Sequence, residues 1–109
     1  MPVRTHSIFD RRANDDRYQK LKARLVDEWS GRPGEEPLPD ILEERDARSR
    51  VIHVTVTWDE WSDLDAQTRS ELIVDALQAV KGEAAVVELT LAMGLTRAEA
   101  ARLARAGNG

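Results

Sequence analysis

Cysteine is absent from this 109-residue sequence, which excludes disulfides, thiolate metal ligands and thiol catalysis. Aromatic residues are also scarce, at 5% of the chain, so aliphatic side chains must supply most of a core. No apolar run approaches the roughly 20 residues that a membrane-spanning helix needs. The first residues, MPVRTHSIFDRRAN, lack the apolar segment of a secretory signal. We therefore expect a cytoplasmic protein with no membrane partner.

The usual motifs of enzymes and cofactor-binding proteins are missing as well. The six glycines form neither a GxxxxGK nor a GxGxxG phosphate-binding pattern, and no serine lies in a glycine-flanked nucleophile elbow. The two histidines, His6 and His53, show no metal-ligand spacing. An acidic cluster is compatible with a small enzyme or a hard cation, but a turn that caps a helix explains it more simply: Asp59, Glu60, Asp63 and Asp65. The sequence thus predicts no enzyme, no cofactor and no metal site.

Charged residues of both signs are plentiful, at 33% of the chain with a net charge of −4. This balance argues against a broad electrostatic hold on nucleic acid, although a local basic face remains open. The length suits one domain with a modest core. We expect a flexible arm at residues 1–13, a single α/β domain at 14–106 and a frayed tail at 107–109.

The run from Val51 to Leu77 carries the clearest structural signal. Its first residues alternate, so a strand is predicted with Ile52, Val54, Val56 and Trp58 on a buried face and His53, Thr55 and Thr57 on an open polar face. Asp63 or Asp65 caps the helix that follows, and Gly82 ends it. The buried stripe of that helix comprises Leu72, Ile73, Ala76, Leu77 and Val80.

The remaining elements complete an α-β-β-α-β-α order. A first helix is capped by Asn14 and ends at Gly31, with an apolar stripe of Tyr18, Leu21, Leu25, Val26 and Trp29. The segment ILEERD suggests a short edge strand, and VVELTLAM alternates as a strand although Glu83, Ala84 and Ala85 would equally start a helix. The last helix has a capping box of Thr96 and Glu99, and its inward face is predicted to comprise Ala100, Leu103 and Ala104. The pattern predicts an α+β fold, a two-layer arrangement with helices on one face of a small mixed three-stranded sheet.

Four residues are candidates for binding a partner. Trp61 begins the turn after the strong strand and is either a lid on the core or an exposed contact. Arg69 lies in the first helical turn, where its charge opposes the helix dipole unless an ion pair with Asp65 or Asp63 compensates. His53 and Thr55 belong to the open sheet face.

The strand–Trp–helix block resembles the BolA-like family, which has a KH-like α/β scaffold. The resemblance is carried by VTVTWDEW, by Trp61 in the turn, by Arg69 opening the helix with its ELIVDAL stripe, and by LTLAMGLTRAEA at the end. It implies the scaffold, while the non-enzymatic role is expected because the sequence shows no chemical site. Members of the family hold an iron–sulfur cluster with a monothiol glutaredoxin through two histidines. This chain has Ser70 at the first position and Val87 or Glu88 at the second, so the resemblance does not imply cluster ligation here.

Two functions follow from these observations. The first is a BolA-like regulatory module that binds a protein partner. The alternative is a nucleic-acid-binding transcriptional regulator, in which residues 84–106 form a helix-turn-helix with Arg97, Arg102 and Arg105 on the recognition helix. A homodimer is compatible with both functions, because a three-stranded sheet leaves free edges.

Overall fold

The computed structural model describes residues 16–32 and 34–108 of the chain. The predicted arm at 1–13 and the Asn14 cap lie outside these residues. The elements, in chain order, are α1 (Asp16–Trp29), β1 (Asp40–Arg45), β2 (Val51–Thr57), a 3₁₀ turn (Asp59–Trp61), α2 (Ala66–Lys81), α3 (Glu83–Glu88), β3 (Leu91–Leu95) and α4 (Arg97–Asn108). The predicted α+β class is confirmed.

The three strands form one mixed sheet in the order β1-β2-β3. β1 pairs antiparallel with β2, whereas β3 pairs parallel with it, so β1 and β3 are the two edges. Leu42 lies beside Thr55 and Thr55 lies beside Met93, which places these three side chains in one row on one face.

An irregularity near the start of β2 changes which residues face the core. Glu44 pairs with His53, but Arg45 pairs with Val51, so Ile52 is an extra residue in β2. As a result Val51 is buried and Ile52 is only half-buried. The strict alternation that placed Ile52 on the buried face was therefore wrong at this position, and it holds from Val54 to Trp58.

α1 and α2 cover one face of the sheet, and their apolar stripes form the core with β2. The Asp65 carboxylate caps α2 by accepting from the Thr68 amide at 2.7 Å, and all the residues predicted for the α2 stripe are buried except Val80, which is half-buried. In α1, Tyr18, Leu21 and Leu25 are buried, while Val26 and Trp29 pack on the core with partial exposure.

α1 ends in a Schellman motif at a glycine. The Arg32 amide donates to the Asp27 carbonyl and the Gly31 amide donates to the Glu28 carbonyl. Gly31 has a φ of +78°, which a glycine adopts without strain. The predicted stop at Gly31 is thus confirmed.

The segment VVELTLAM is partly helix and partly strand, so its prediction as a strand was half wrong. Residues 83–88 form α3, and only the residues from Leu91 onwards enter β3. Gly82, with a φ of +89°, both ends α2 and begins α3. Residues of high helix propensity follow Gly82 immediately, so the first part of the segment is helical. The chain joins the sheet only from Leu91 onwards.

Candidate partner-binding surface

The two tryptophans that end β2 both belong to the core. Trp58 and Trp61 pack edge to face, with ring centroids 5.1 Å apart, and each is at most 1% exposed. The Trp61 indole N–H donates to the Val56 carbonyl and that of Trp58 donates to the Pro37 carbonyl, both at 3.0 Å. Trp61 is therefore the lid of the core, which confirms one of its two predicted roles, and its other predicted role as an exposed partner contact was wrong.

Arg69 is also a structural residue, because its guanidinium is buried and occupied. It is 7% exposed and donates to three backbone carbonyls, those of Leu64, Trp61 and Gly94. The fourth acceptor is the Glu99 carboxylate at 2.6 Å, so the predicted ion pair with Asp63 or Asp65 was wrong. Arg69 ties the 3₁₀ turn, β3 and α4 together, and it is not available to a partner.

Gly94 makes this close packing feasible. A Cβ atom at Gly94 would lie 2.8 Å from the Arg69 Cβ and 3.0 Å from two atoms of the Trp61 ring. Real side chains do not approach this closely, so only glycine lets β3 pass over the Trp61 ring.

Glu99 anchors the start of α4. Its carboxylate accepts from the Thr96 amide at 2.8 Å while the Thr96 hydroxyl accepts from the Glu99 amide at 3.2 Å, which confirms the predicted capping box. The Thr96 amide, and after it the Arg69 guanidinium, hold the pKa of Glu99 below its ordinary value, since both favour the charged carboxylate.

The sheet face opposite α1 and α2 is a candidate surface for binding a partner, and we call it the open face. It was predicted to be polar, but leucines and a methionine flank the central β2 residues. Leu42 is 57% exposed and Leu91 is 43% exposed. The strand registers place the following residues on this face: Asp40, Leu42 and Glu44 from β1, His53, Thr55 and Thr57 from β2, and Leu91, Met93 and Leu95 from β3. β3 thus contributes three apolar side chains to the face and β1 contributes Leu42, beside the polar side chains of β2 and the two acidic residues of β1.

His53 and Thr55 are the two predicted contact residues that the open face contains. Thr55 lies between Leu42 and Met93, and the His53 Nδ1 is 3.9 Å from the Glu44 carboxylate. Across residues 16–32 and 34–108, no three histidine or acidic side chains converge in a way that would hold a metal ion. His53 and Thr55 can therefore form hydrogen bonds with a partner beside the apolar side chains of the open face.

An apolar cleft of about 490 Å³ adjoins the open face at the edge where β3 leads into α4. One wall carries Met93, Gly94 and Leu95, the other carries the α4 residues Glu99, Arg102, Leu103 and Ala106, and Ala66 and Arg69 complete the lining. Leu103 is 53% exposed and residues 101–106 are all exposed. The prediction that Leu103 and Ala104 face inward was therefore wrong, because among residues 16–32 and 34–108 no element covers this side of α4.

The helix-turn-helix interpretation of residues 84–106 was also wrong. It requires a helix before the turn, but Leu91–Leu95 is a strand paired with β2. Arg97, Arg102 and Arg105 are nevertheless exposed on α4. The Arg97 amide donates to the Asp59 carboxylate, so this member of the acidic cluster helps to fix the start of α4.

Several residues of the surface were not identified from the sequence, although some signal existed. Leu42 lies two residues after Asp40 and two residues before Glu44, so a strand places it on the same face as two carboxylates, which is unusual for a core position. Nothing in the sequence around Gly94 reveals that it faces Trp61. Their roles depend on the pairing of distant strands.

Comparisons with known proteins return no relative of this chain. No family model matches it, and neither a curated protein nor a solved structure matches it. Among the described helices, none has the length and apolar character needed to cross a membrane.

Proposed function

We propose that this chain is a non-enzymatic interaction module of BolA-like type, which binds a protein partner on its open face. The observation that carries the proposal is the exposure of Leu42 and Leu91 on a sheet face that also bears Met93 and Leu95. Exposed apolar side chains grouped on one sheet face are typical of interaction sites. Burial of these side chains would supply the driving force for association.

The polar side chains of the open face would determine which partner binds. Thr55 lies at its centre, and His53 and Glu44 lie beside it. Buried hydrogen-bonding groups reject a surface that leaves them unpaired, so these residues would impose specificity on an otherwise apolar contact.

The BolA-like part of the proposal is supported by the order of elements and by the positions of Trp61 and Arg69. The departure at Ser70 has a structural role of its own, because its hydroxyl donates to the Ala92 carbonyl of β3 at 2.6 Å. We therefore propose a module that keeps the scaffold without cluster ligation. A cytoplasmic location belongs to the same proposal and agrees with the cysteine-free composition.

Site-specific photo-crosslinking in living cells tests the proposal. A photoreactive phenylalanine analogue replaces Leu91 on the open face, and in a matched control it replaces Val87, which is 79% exposed but lies on α3. We expect a discrete covalent protein adduct from position 91 and none from position 87. Equal labelling at both positions, or none at either, would contradict the proposal.

The alternative, a nucleic-acid-binding regulator, is no longer supported by a helix-turn-helix, because Leu91–Leu95 is a strand. The same experiment tests it. A nucleic-acid adduct at position 91, together with salt-sensitive retardation of DNA by the purified chain, would replace the protein-binding proposal. Exposed arginines on α4 alone do not favour it, since the net charge of the chain is −4.

A further inference from the structure

We propose that the partner on the open face is a second copy of this chain, packed face to face about a two-fold axis parallel to β2. This inference rests on the proposed function and names its partner. Three observations support it: an uncovered helix, opposite charges at the two edges of the sheet, and the area that a stable interface needs.

The first observation is that α4 lacks packing along its exposed side within residues 16–32 and 34–108. The contacts that hold it there are at its first turn, namely the Arg69–Glu99 ion pair and the bond from the Arg97 amide to Asp59. Residues 101–106 are exposed, and Leu103 opens onto the cleft. Isolated helices shorter than about 12–15 residues are marginal in water, so a helix of this length needs apolar packing along its side. A second copy can provide that packing.

The second observation is the charge on the two edges. β1 presents the exposed carboxylates of Asp40 and Glu44 on the open face, whereas α4, which follows β3, presents Arg102 and Arg105. β1 and β3 lie at opposite edges of the sheet. A two-fold axis parallel to the central strand exchanges these edges, so each copy places its β3–α4 unit over β1 of the other. The acidic and basic groups then meet twice in one symmetric interface.

The third observation concerns size. Strands of about six residues and three-strand width give the open face dimensions of roughly 20 by 15 Å. A stable interface buries about 800 Å² on each partner, which is more than this face provides alone. A stable dimer through this face therefore needs α4 in the same interface, and the proposed axis brings α4 onto the other copy.

Pairing through the free edge of β3 is a poorer arrangement. The Leu95 carbonyl accepts from the Trp58 amide on the β2 side, so the carbonyls of Ala92 and Gly94 point to the other side. Those two carbonyls already accept from the Ser70 hydroxyl and the Arg69 guanidinium. The side chains of α2 thus occupy the edge that another strand would use.

Reciprocal charge reversal in the full chain tests the proposal, with mass measured by light scattering during gel filtration over a micromolar concentration series. We expect the unaltered chain to reach twice the 12.3 kDa of one copy. The acid-reversed variant D40K/E44K and the base-reversed variant R102E/R105E should each dimerise at least about tenfold more weakly, because each places like charges together. An equimolar mixture of the two should restore the dimer, since both contacts are then attractive.

The control is R48E, a charge reversal in the exposed turn between β1 and β2, which should leave the dimer unchanged. Circular dichroism of every variant verifies that it is folded. A dimer that is indifferent to both reversals, or a mixture that does not recover, overturns the proposed interface. A monomer at all concentrations with a foreign protein crosslinked at position 91 overturns the dimer but keeps the proposed function. A monomer without any adduct at position 91 overturns both.

Discussion

Gly94 is the residue whose role follows most directly from distances. An added Cβ would lie 2.8 Å from the Arg69 Cβ and 3.0 Å from the Trp61 ring, and both residues are buried and hydrogen-bonded. Because neither neighbour can move away freely, we expect Gly94→Ala to lower the free energy of unfolding by about 2 kcal/mol, within the range for overpacked cores. Urea denaturation followed by circular dichroism measures the difference.

Gly34→Ala is the matched control for this substitution. A Cβ at Gly34 meets only the end of the Leu38 side chain, at 3.9 Å, which is an ordinary contact. Its unfolding midpoint should stay close to that of the unaltered chain. If Gly94→Ala is as stable as Gly34→Ala, the close passage of β3 over Trp61 is contradicted.

Glu99 gives the fold a dependence on pH. Its ordinary pKa of 4.5 is lowered in the folded chain, first by the Thr96 amide and then by Arg69. The unfolded chain therefore binds the proton more tightly, so the stabilisation is complete above pH 4.5 and is lost as the pH falls through the lower folded-state pKa. We expect Glu99→Gln to be less stable than the parent chain at neutral pH and to approach it in acid.

Urea midpoints of both chains, measured from neutral pH downwards, test this expectation. Asp46 also has a lowered pKa, because Arg50 donates hydrogen bonds to it, but it is common to both chains and cancels in the difference. A gap between the two chains that stays constant in acid would show that the Glu99 charge does not stabilise the fold.

The sequence predicted those features of the fold that depend on the residue pattern within one element. It did not predict the features that depend on contacts between residues far apart in the chain. The alternation from Val54 to Trp58 and the stripe of α2 each lie within one element, and both were recognised. Arg69 and Glu99 are 30 residues apart, so no local pattern could show that they pair. The residues after Gly82 fit the pattern of a helix and that of a strand equally well. Where β3 begins is decided by its pairing with β2, which the local sequence does not show.

The edge of β3 provides a prediction at the level of the element. The Ser70 hydroxyl covers the Ala92 carbonyl at 2.6 Å, and its removal leaves a partly buried acceptor without this donor. We expect Ser70→Ala to destabilise the fold by about 1 kcal/mol, the usual contribution of such a bond. Thermal or urea unfolding provides the measurement.

Ser62→Ala serves as the comparison, since Ser62 is exposed in the turn before α2. It should differ little from the parent chain. Amide hydrogen exchange measures the effect on β3 itself. The exchange rates of its amides should increase in the Ser70 variant and stay unchanged in the Ser62 variant. Similar exchange in both variants would contradict a protective role for Ser70.

At the level of the whole molecule, the open face, the cleft and α4 form one connected surface. Met93 and Leu95 belong to both the face and the cleft, and Leu103 lines the cleft from α4. The sequence placed Leu103 in a core because its spacing is that of a buried stripe. That spacing is typical of a helix that packs against another element, but no element in the described part of the chain covers this side of α4.

The contribution of Leu103 to a dimer predicts a dependence of thermal stability on protein concentration. Folding coupled to association raises the midpoint of unfolding as the concentration increases. Leu103→Gln should abolish this dependence, because it removes apolar surface from the contact, whereas Val87→Gln on α3 should retain it. Both leucine and valine are exposed within one copy, at 53% and 79%, so neither substitution should greatly affect a monomer. Calorimetric scans over a concentration series measure these midpoints. If the unaltered chain, Leu103→Gln and Val87→Gln have the same midpoint at every concentration, a role for Leu103 in association is contradicted.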